Sequence, residues 1–206
     1  HFRSHLFNLK EKEVQIFLEK NLKTNDIFFD VGANIGVFSI FAAIKRNAKV
    51  FAFEPEYSNL NLLKENIIKN NLIDNIIPFS FAIGNECRIT QLHIADLTPG
   101  SAVSSISTNY LEKTNEGYDV LWKEGVMELT LDRIIKDLNI KPKILKIDTD
   151  GNEKNVLLGS KNLLNSNELK FIIIEKTKKK EDFLFCINFL KQFGYTEVDK
   201  SDKGNS

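Results

Sequence analysis

The sequence predicts a doubly wound α/β fold, Rossmann-like in class, with helices covering both faces of a mostly parallel sheet. Three observations carry that prediction. Short apolar runs alternate with helical stretches in βαβα order, starting with IFFDV (27–31), a helix near 36–46, KVFAF (49–53) and a helix near 58–70. The runs are continuously apolar, as expected of strands buried on both faces, and parallel neighbours need the crossovers that the helices supply. The first run also ends in a glycine turn that opens directly into an apolar helix, FFDVGANIGVFSIFAA. A turn of this kind lies at the carboxyl edge of the sheet, where doubly wound folds bind their ligands.

The remaining elements follow in order. Within an N-terminal segment, 1–24, the spacing of Val14, Ile16, Phe17 and Leu18 among charged residues predicts an amphipathic helix ending near Asn21 and packing over a sheet edge. Further strands of the same sheet are predicted at IIPFSFAI (76–83), RITQLHIA (88–95), VMELTL (126–131), KILKID (143–148) and KFIIIE (170–175), with helices near 132–138, 153–164 and 181–193. Residues 96–125 carry LTPGSAVSSISTN and little periodicity, which predicts a substrate-facing loop. The KTKKKE run at 176–181 reads as a solvated connection. With 206 residues, 42% of them apolar, the chain can bury one sizeable core, so positions 1–206 are expected to form a single domain.

Composition narrows the partners. Lys+Arg and Asp+Glu both number 28, and a net charge of zero lacks the basic excess that phosphate-backbone binding requires. Nucleic acid is therefore not an expected partner. Cys87 and Cys186 fit no metal-ligand spacing and suit reduced thiols, hence a cytoplasmic setting. No apolar run is long enough for a transmembrane segment, and the start, HFRSHLFNLKEKE, lacks the apolar core of a signal peptide.

The glycine turn and one acid carry the cofactor reading. Asp30 ends the first strand, and Gly32 and Gly36 follow in G-x-x-x-G spacing, unlike the G-x-G-x-x-G that brings a helix N-terminus to a pyrophosphate. A dinucleotide is disfavoured. S-adenosyl-L-methionine (SAM) has no phosphate and needs an open turn with well-placed carboxylates. Glu54, directly after KVFAF, stands where a carboxylate accepts hydrogen bonds from both ribose hydroxyls. Each motif alone has a plainer origin, in close helix packing or at a strand end.

Taken together, DVGANIG, FEP, KENIIKNN, LTLDRI, KIDTDGNE and FIIIE make the chain resemble the FkbM family of SAM-dependent methyltransferases from about Asp26 to Tyr195. That family's second block reads approximately K-I-D-V-E-G-x-E; here Thr149 and Asp150 depart from it. The resemblance implies a class I methyltransferase sheet and O-methylation of a sugar, glycan or secondary-metabolite hydroxyl. It also implies that Asp30, Gly32, Asn34 and Gly36 lie nearest the amino-acid end of SAM, that Glu54 holds the ribose, and that Phe81 and Ala82 border the adenine. A seventh strand is expected to follow as a hairpin, but the sequence ends soon after FGYTEVDKSDKGNS, which leaves that strand unaccounted for.

Methylating an alcohol requires alignment and a base. Asp148, at the end of a buried strand, is the first candidate; Lys146, two residues earlier on the same strand face, would orient it or stabilise a developing alkoxide. Glu153, opening the next helix, and Glu175, ending FIIIE, complete a possible acidic cluster. Their structural counterparts are an ion pair between Lys146 and Glu175 and a helix N-terminus favoured by Glu153. His93 reads as a strand histidine. Asp148 to Asn152 does not fit a calcium loop, and only Glu175 stands ready to complete a magnesium site, so metal use stays open. Ser101, Ser104, Ser105, Tyr110 and Trp122 are candidate acceptor contacts. An N-methyltransferase and an inactive domain serving assembly remain as alternatives.

Overall fold

The computed structural model describes residues 5–7, 11–107, 113–115, 117–175 and 179–197. In chain order its elements are β1 (His5–Phe7), α1 (Glu11–Asn21), β2 (Ile27–Val31), α2 (Val37–Arg46), β3 (Lys49–Phe53), α3 (Tyr57–Lys69), β4 (Ile76–Phe79), β5 (Ala82–Ile83) and β6 (Arg88–Ile94). They continue with β7 (Ser104–Ser107), β8 (Trp122–Leu129), α4 (Leu131–Leu138), β9 (Ile144–Ile147), α5 (Glu153–Leu158), α6 (Lys161–Leu164), β10 (Phe171–Ile174), α7 (Lys180–Gln192) and β11 (Thr196–Glu197).

Seven strands form a wholly parallel sheet in the order β11-β1-β10-β9-β2-β3-β4. Side chains alternate between its faces. Phe28, Val50, Ala52, Ile144 and Ile173 pack with α1, α2 and α3 in one core. Phe29, Val31, Phe53, Leu145, Ile147 and Ile174 pack with α4 to α7 in the other. The strand order runs outward in both directions from the β2–β9 pair, so the topological switch point lies at the ends of these two strands, where Asp30 and Asp148 stand.

Several expectations need correction. RITQLHIA and VMELTL are not in the parallel sheet: β6 and β8 pair antiparallel in a second, four-stranded sheet ordered β5-β8-β6-β7. The signal was period-two burial, since Ile89 is 83% exposed and Leu92 1%, and one-sided alternation marks an antiparallel sheet. IIPFSFAI is likewise divided, β4 joining the parallel sheet and β5 the second one. The expected loop 96–125 holds β7 and the start of β8. The helix near 153–164 breaks into α5 and α6 at Gly159, where a Cβ would meet the Gly84 carbonyl oxygen at 2.1 Å.

The N-terminal segment contributes a strand as well as a helix: β1 lies between β10 and β11, parallel to both. The seventh place in the sheet is filled from the start of the chain, not by a hairpin after the last helix. No helix among the described residues is long and apolar enough to cross a membrane.

Candidate functional site

The turn after β2 is built from left-handed residues, Gly32 (φ 74°), Asn34 (φ 50°) and Gly36 (φ 89°). Its first two amides, of Gly32 and Ala33, both donate to the Phe53 carbonyl at 3.0 Å, wrapping the turn over the end of β3. Gly32 also abuts β9 so closely that a Cβ would lie 1.7 Å from the Asp148 carbonyl oxygen. Only glycine fits there.

Beneath the turn sits a buried charge cluster. Asp30 and Lys146 are register partners on β2 and β9 and face the α2 side. Lys146, 3% exposed, has its Nζ 3.2 Å from Asp30 Oδ1, 3.1 Å from Asp148 Oδ2 and 3.4 Å from the Gly32 carbonyl oxygen, and lies over the Phe38 ring. Ser39 on α2 donates to Asp30 Oδ2 at 2.7 Å. Burial works against the charge on Lys146, but Asp30 and Asp148 outweigh it and hold its pKa above the usual range. Burial likewise raises the Asp148 carboxyl, while Lys146 and a hydrogen bond from Glu175 bring it below the ordinary value.

Above the cluster an open cleft lies at the switch point, where doubly wound folds bind their ligands. Gly32, Asn34, Glu54, Ala82 and Asp148, all expected from the sequence, line it. Glu54 is 5% exposed; one oxygen accepts from the Asn34 amide at 2.8 Å and the other from the Glu56 amide at 3.0 Å. Burial pushes its carboxyl up to about 7 against those two bonds. Each oxygen keeps a lone pair for a further donor, which suits two neighbouring ribose hydroxyls. Phe81 stands beside Ala82 on the wall, tilted against Phe53 and Phe79. The cleft therefore fits SAM in the close backbone approach at Gly32 and in its free carboxylate capacity.

The other expected residues stand back from the cleft. Asp30 and Lys146 support it from below, and Gly36 caps α2 against Leu63. Glu153, expected at the crevice, turns the other way. Its Oε1 accepts from the Thr149 amide (2.9 Å), the Thr149 hydroxyl (3.1 Å) and the Gly151 amide (3.2 Å), and burial raises its pKa. It braces the 149–151 turn, in which Asp150 and Gly151 are both left-handed. Burial lowers the pKa of His93, which does not line the cleft.

Sequence reasoning missed the strap across the cleft. Asn59 Oδ1 accepts from the Gly100 amide at 2.7 Å, and its Nδ2 donates to the Ser101 carbonyl at 2.9 Å; Asn34 Nδ2 reaches the same carbonyl at 3.0 Å. Ser101, Ser104, Ser105 and Ile106 thereby form the far wall, while Trp122, 53% exposed, lies outside the lining. Tyr110 and residues 176–178 lie outside the described residues. Glu56 caps α3 by accepting from the Ser58 and Asn59 amides, but glutamate is not among the usual capping residues, so neither it nor Asn59 was signalled by the sequence. Among the described residues no three His, Cys, Asp or Glu side chains are grouped to hold a metal ion.

Comparison with known proteins adds the following. The model of the methyltransferase FkbM domain matches residues 30–197. The hexuronic acid methyltransferase AglP of Haloferax volcanii is 28% identical over 166 residues, covering 80% of this chain and 62% of that protein. A putative ribosomal RNA large subunit methyltransferase of Methanocaldococcus jannaschii is 33% identical over 90 residues, 44% of this chain and 22% of its own length. The chain thus spans less than two thirds of these relatives. Among solved structures, a precorrin-6y C5,15-methyltransferase from Geobacter metallireducens superposes with a TM-score of 0.53 at 15% identity, over 93% of this chain and 78% of that one, a likeness of fold. With a class I methyltransferase sheet, a cleft at its switch point and a family match from Asp30 onward, the chain belongs to the FkbM methyltransferases, which use S-adenosyl-L-methionine.

Proposed function

We propose that this chain O-methylates a hydroxyl of a sugar, glycan or secondary metabolite. The observation that carries the reading is Asp148: it lines the cleft with Gly32, Ser104 and Ser105, and Lys146, 3.1 Å from its Oδ2, favours its ionised form. When bound, SAM supplies an electrophilic methyl group on a sulfonium. The chain's own residues do the rest. Glu54 accepts the ribose hydroxyls, the 32–36 turn receives the amino-acid end with Asp30 beneath it, and Phe81 and Ala82 border the adenine. Asp148 takes the proton of the acceptor hydroxyl, and alignment within the cleft lowers the barrier further. Lys146 keeps Asp148 in place and Glu153 braces the turn behind it, so both are positioning residues. In this reading positions 1–206 act as one domain and the 96–125 segment selects a small-molecule or glycan acceptor, not nucleic acid. The hexuronic acid relative supports a sugar. Free thiols at Cys87 and Cys186 suit a cytoplasmic setting.

A second reading, N-methylation of an amine, is favoured by the lining charges, since Glu54, Asp148 and Asp150 are acidic and no Lys, Arg or His lines the cleft among the described residues. The test begins with calorimetric titration of S-adenosylhomocysteine into wild type and Glu54→Ala. Wild type is expected to bind and the variant to lose roughly 1.5–3 kcal/mol, the scale of hydrogen bonds to a charged group. Radiolabelled SAM is then offered with neutral hexosides, hexuronosides and amino sugars. Label on a hydroxyl supports O-methylation, label on an amine nitrogen supports the second reading, and a wild type that does not bind S-adenosylhomocysteine overturns both.

A further inference from the structure

One carboxyl group behind the cleft wall has no part in the reaction described so far. Glu175 follows β10 directly, and its amide donates to the Ile147 carbonyl at 3.0 Å, which continues the β9–β10 ladder and sets Glu175 beside Asp148. The parallel register puts the two side chains next to each other on one face of the sheet, and the neighbouring Asp148 carboxylate together with burial pushes the Glu175 carboxyl up to about 8. They differ in what they face. Asp148 lines the cleft, whereas Glu175 does not line it and is exposed to solvent.

We propose that Asp148 and Glu175 form a carboxylate–carboxyl dyad through which the acceptor's proton leaves the cleft, a role that rests on the O-methylation reading. At rest the pair carries one proton, on Glu175, and Asp148 is the anion. In the reaction the acceptor O–H bond breaks and its proton passes to Asp148. The acceptor oxygen forms the new bond to the methyl carbon with a lone pair, and the methyl carbon–sulfur pair goes to sulfur. Glu175 releases its proton to water and takes the one on Asp148, which returns the dyad to its starting charge. The charged surroundings hold this arrangement. Lys146, with Asp30 behind it, faces Asp148 from the sheet and favours its ionised form. Asp150 and Glu153, from the following turn and α5, face Glu175 and keep its proton on. Two adjacent carboxyl groups that share a proton titrate as a unit. Glu175 touches neither cofactor nor acceptor, so it is a positioning residue acting through Asp148.

The test uses protein labelled with ¹³C at the glutamate side-chain carboxyl, in wild type, Asp148→Asn and Glu175→Gln, with S-adenosylhomocysteine titrated into each sample. The resonance missing from Glu175→Gln identifies Glu175. It is expected to titrate above the ordinary carboxylate range in wild type and to fall by about one pKa unit or more in Asp148→Asn, where the negative neighbour is gone. With the hydroxyl acceptor found in the hexoside panel, Glu175→Gln is expected to lose at least about tenfold in kcat and to lose the pH dependence belonging to Glu175, with KM for the cofactor unchanged. A Glu175 resonance that titrates normally, or that ignores Asp148→Asn while all three proteins still bind S-adenosylhomocysteine, overturns the dyad alone. A wild-type pH profile retained in Glu175→Gln does the same.

Discussion

At Lys146 one ammonium meets Asp30, Asp148 and the Gly32 carbonyl oxygen inside the protein, and its removal leaves Asp30, 0% exposed, with only the Ser39 hydroxyl. Breaking a buried pair by deleting one partner costs about 3–5 kcal/mol, so Lys146→Met is expected to lower the urea midpoint accordingly. Glu54 supplies a pH test. Its pKa is raised in the folded state from 4.5 to about 7, so its contribution to stability is complete below pH 4.5 and is lost as pH rises through 7. Wild-type Tm is therefore expected to fall relative to Glu54→Gln between about pH 4.5 and 7 and to level off above that, measured by calorimetry. Ligand binding runs the opposite way, because the ionised carboxylate is the better acceptor. S-adenosylhomocysteine affinity is expected to rise by up to about tenfold between about pH 6 and 8, as the folded carboxyl ionises, in wild type and to stay flat in the variant.

At the scale of elements, the turn after β2 and the 98–103 strap bound the cleft from opposite sides. Gly32→Ala combines a left-handed φ of 74° with a Cβ 1.7 Å from the Asp148 carbonyl oxygen. Strain and overpacking together predict a loss of at least about 2 kcal/mol, read from denaturant unfolding, together with loss of ligand binding. The strap hangs on two side-chain amides, since Asn59 and Asn34 hold Gly100 and Ser101 by backbone atoms. Asn59→Ala is expected to speed hydrogen exchange at the Gly100 amide by roughly tenfold, the equivalent of one lost hydrogen bond, with little change in global stability. Equal exchange in both proteins would show that the strap is held elsewhere.

Over the whole molecule, β1 ties the start of the chain to its end. It is the only strand paired with β11 among the described residues and it covers the edge of β10. Deleting residues 1–10 is expected to expose that edge, lower the urea midpoint and abolish protection of the Thr196 and Glu197 amides. Unchanged protection would mean that β11 finds its place without β1.

What was legible in the sequence was what short-range chemistry dictates. Continuous apolar runs marked the central strands, and helix periodicity located α2, α3, α4 and α7 within one or two residues. The G-x-x-x-G turn and the acids at strand ends marked Asp30, Gly32, Glu54 and Asp148, because a strand end at the carboxyl edge of a parallel sheet is a position set by chain order. Long-range pairing decided the rest. Whether an apolar run enters the parallel sheet or a second one depends on a partner far along the chain, which is why β6 and β8 were misplaced and β1 was not foreseen. The direction in which Glu153 turns, the seat of Asn59 under the strap and the contact between Asp148 and Glu175 depend on where neighbouring backbones bring their donors, and residue spacing carries no record of that.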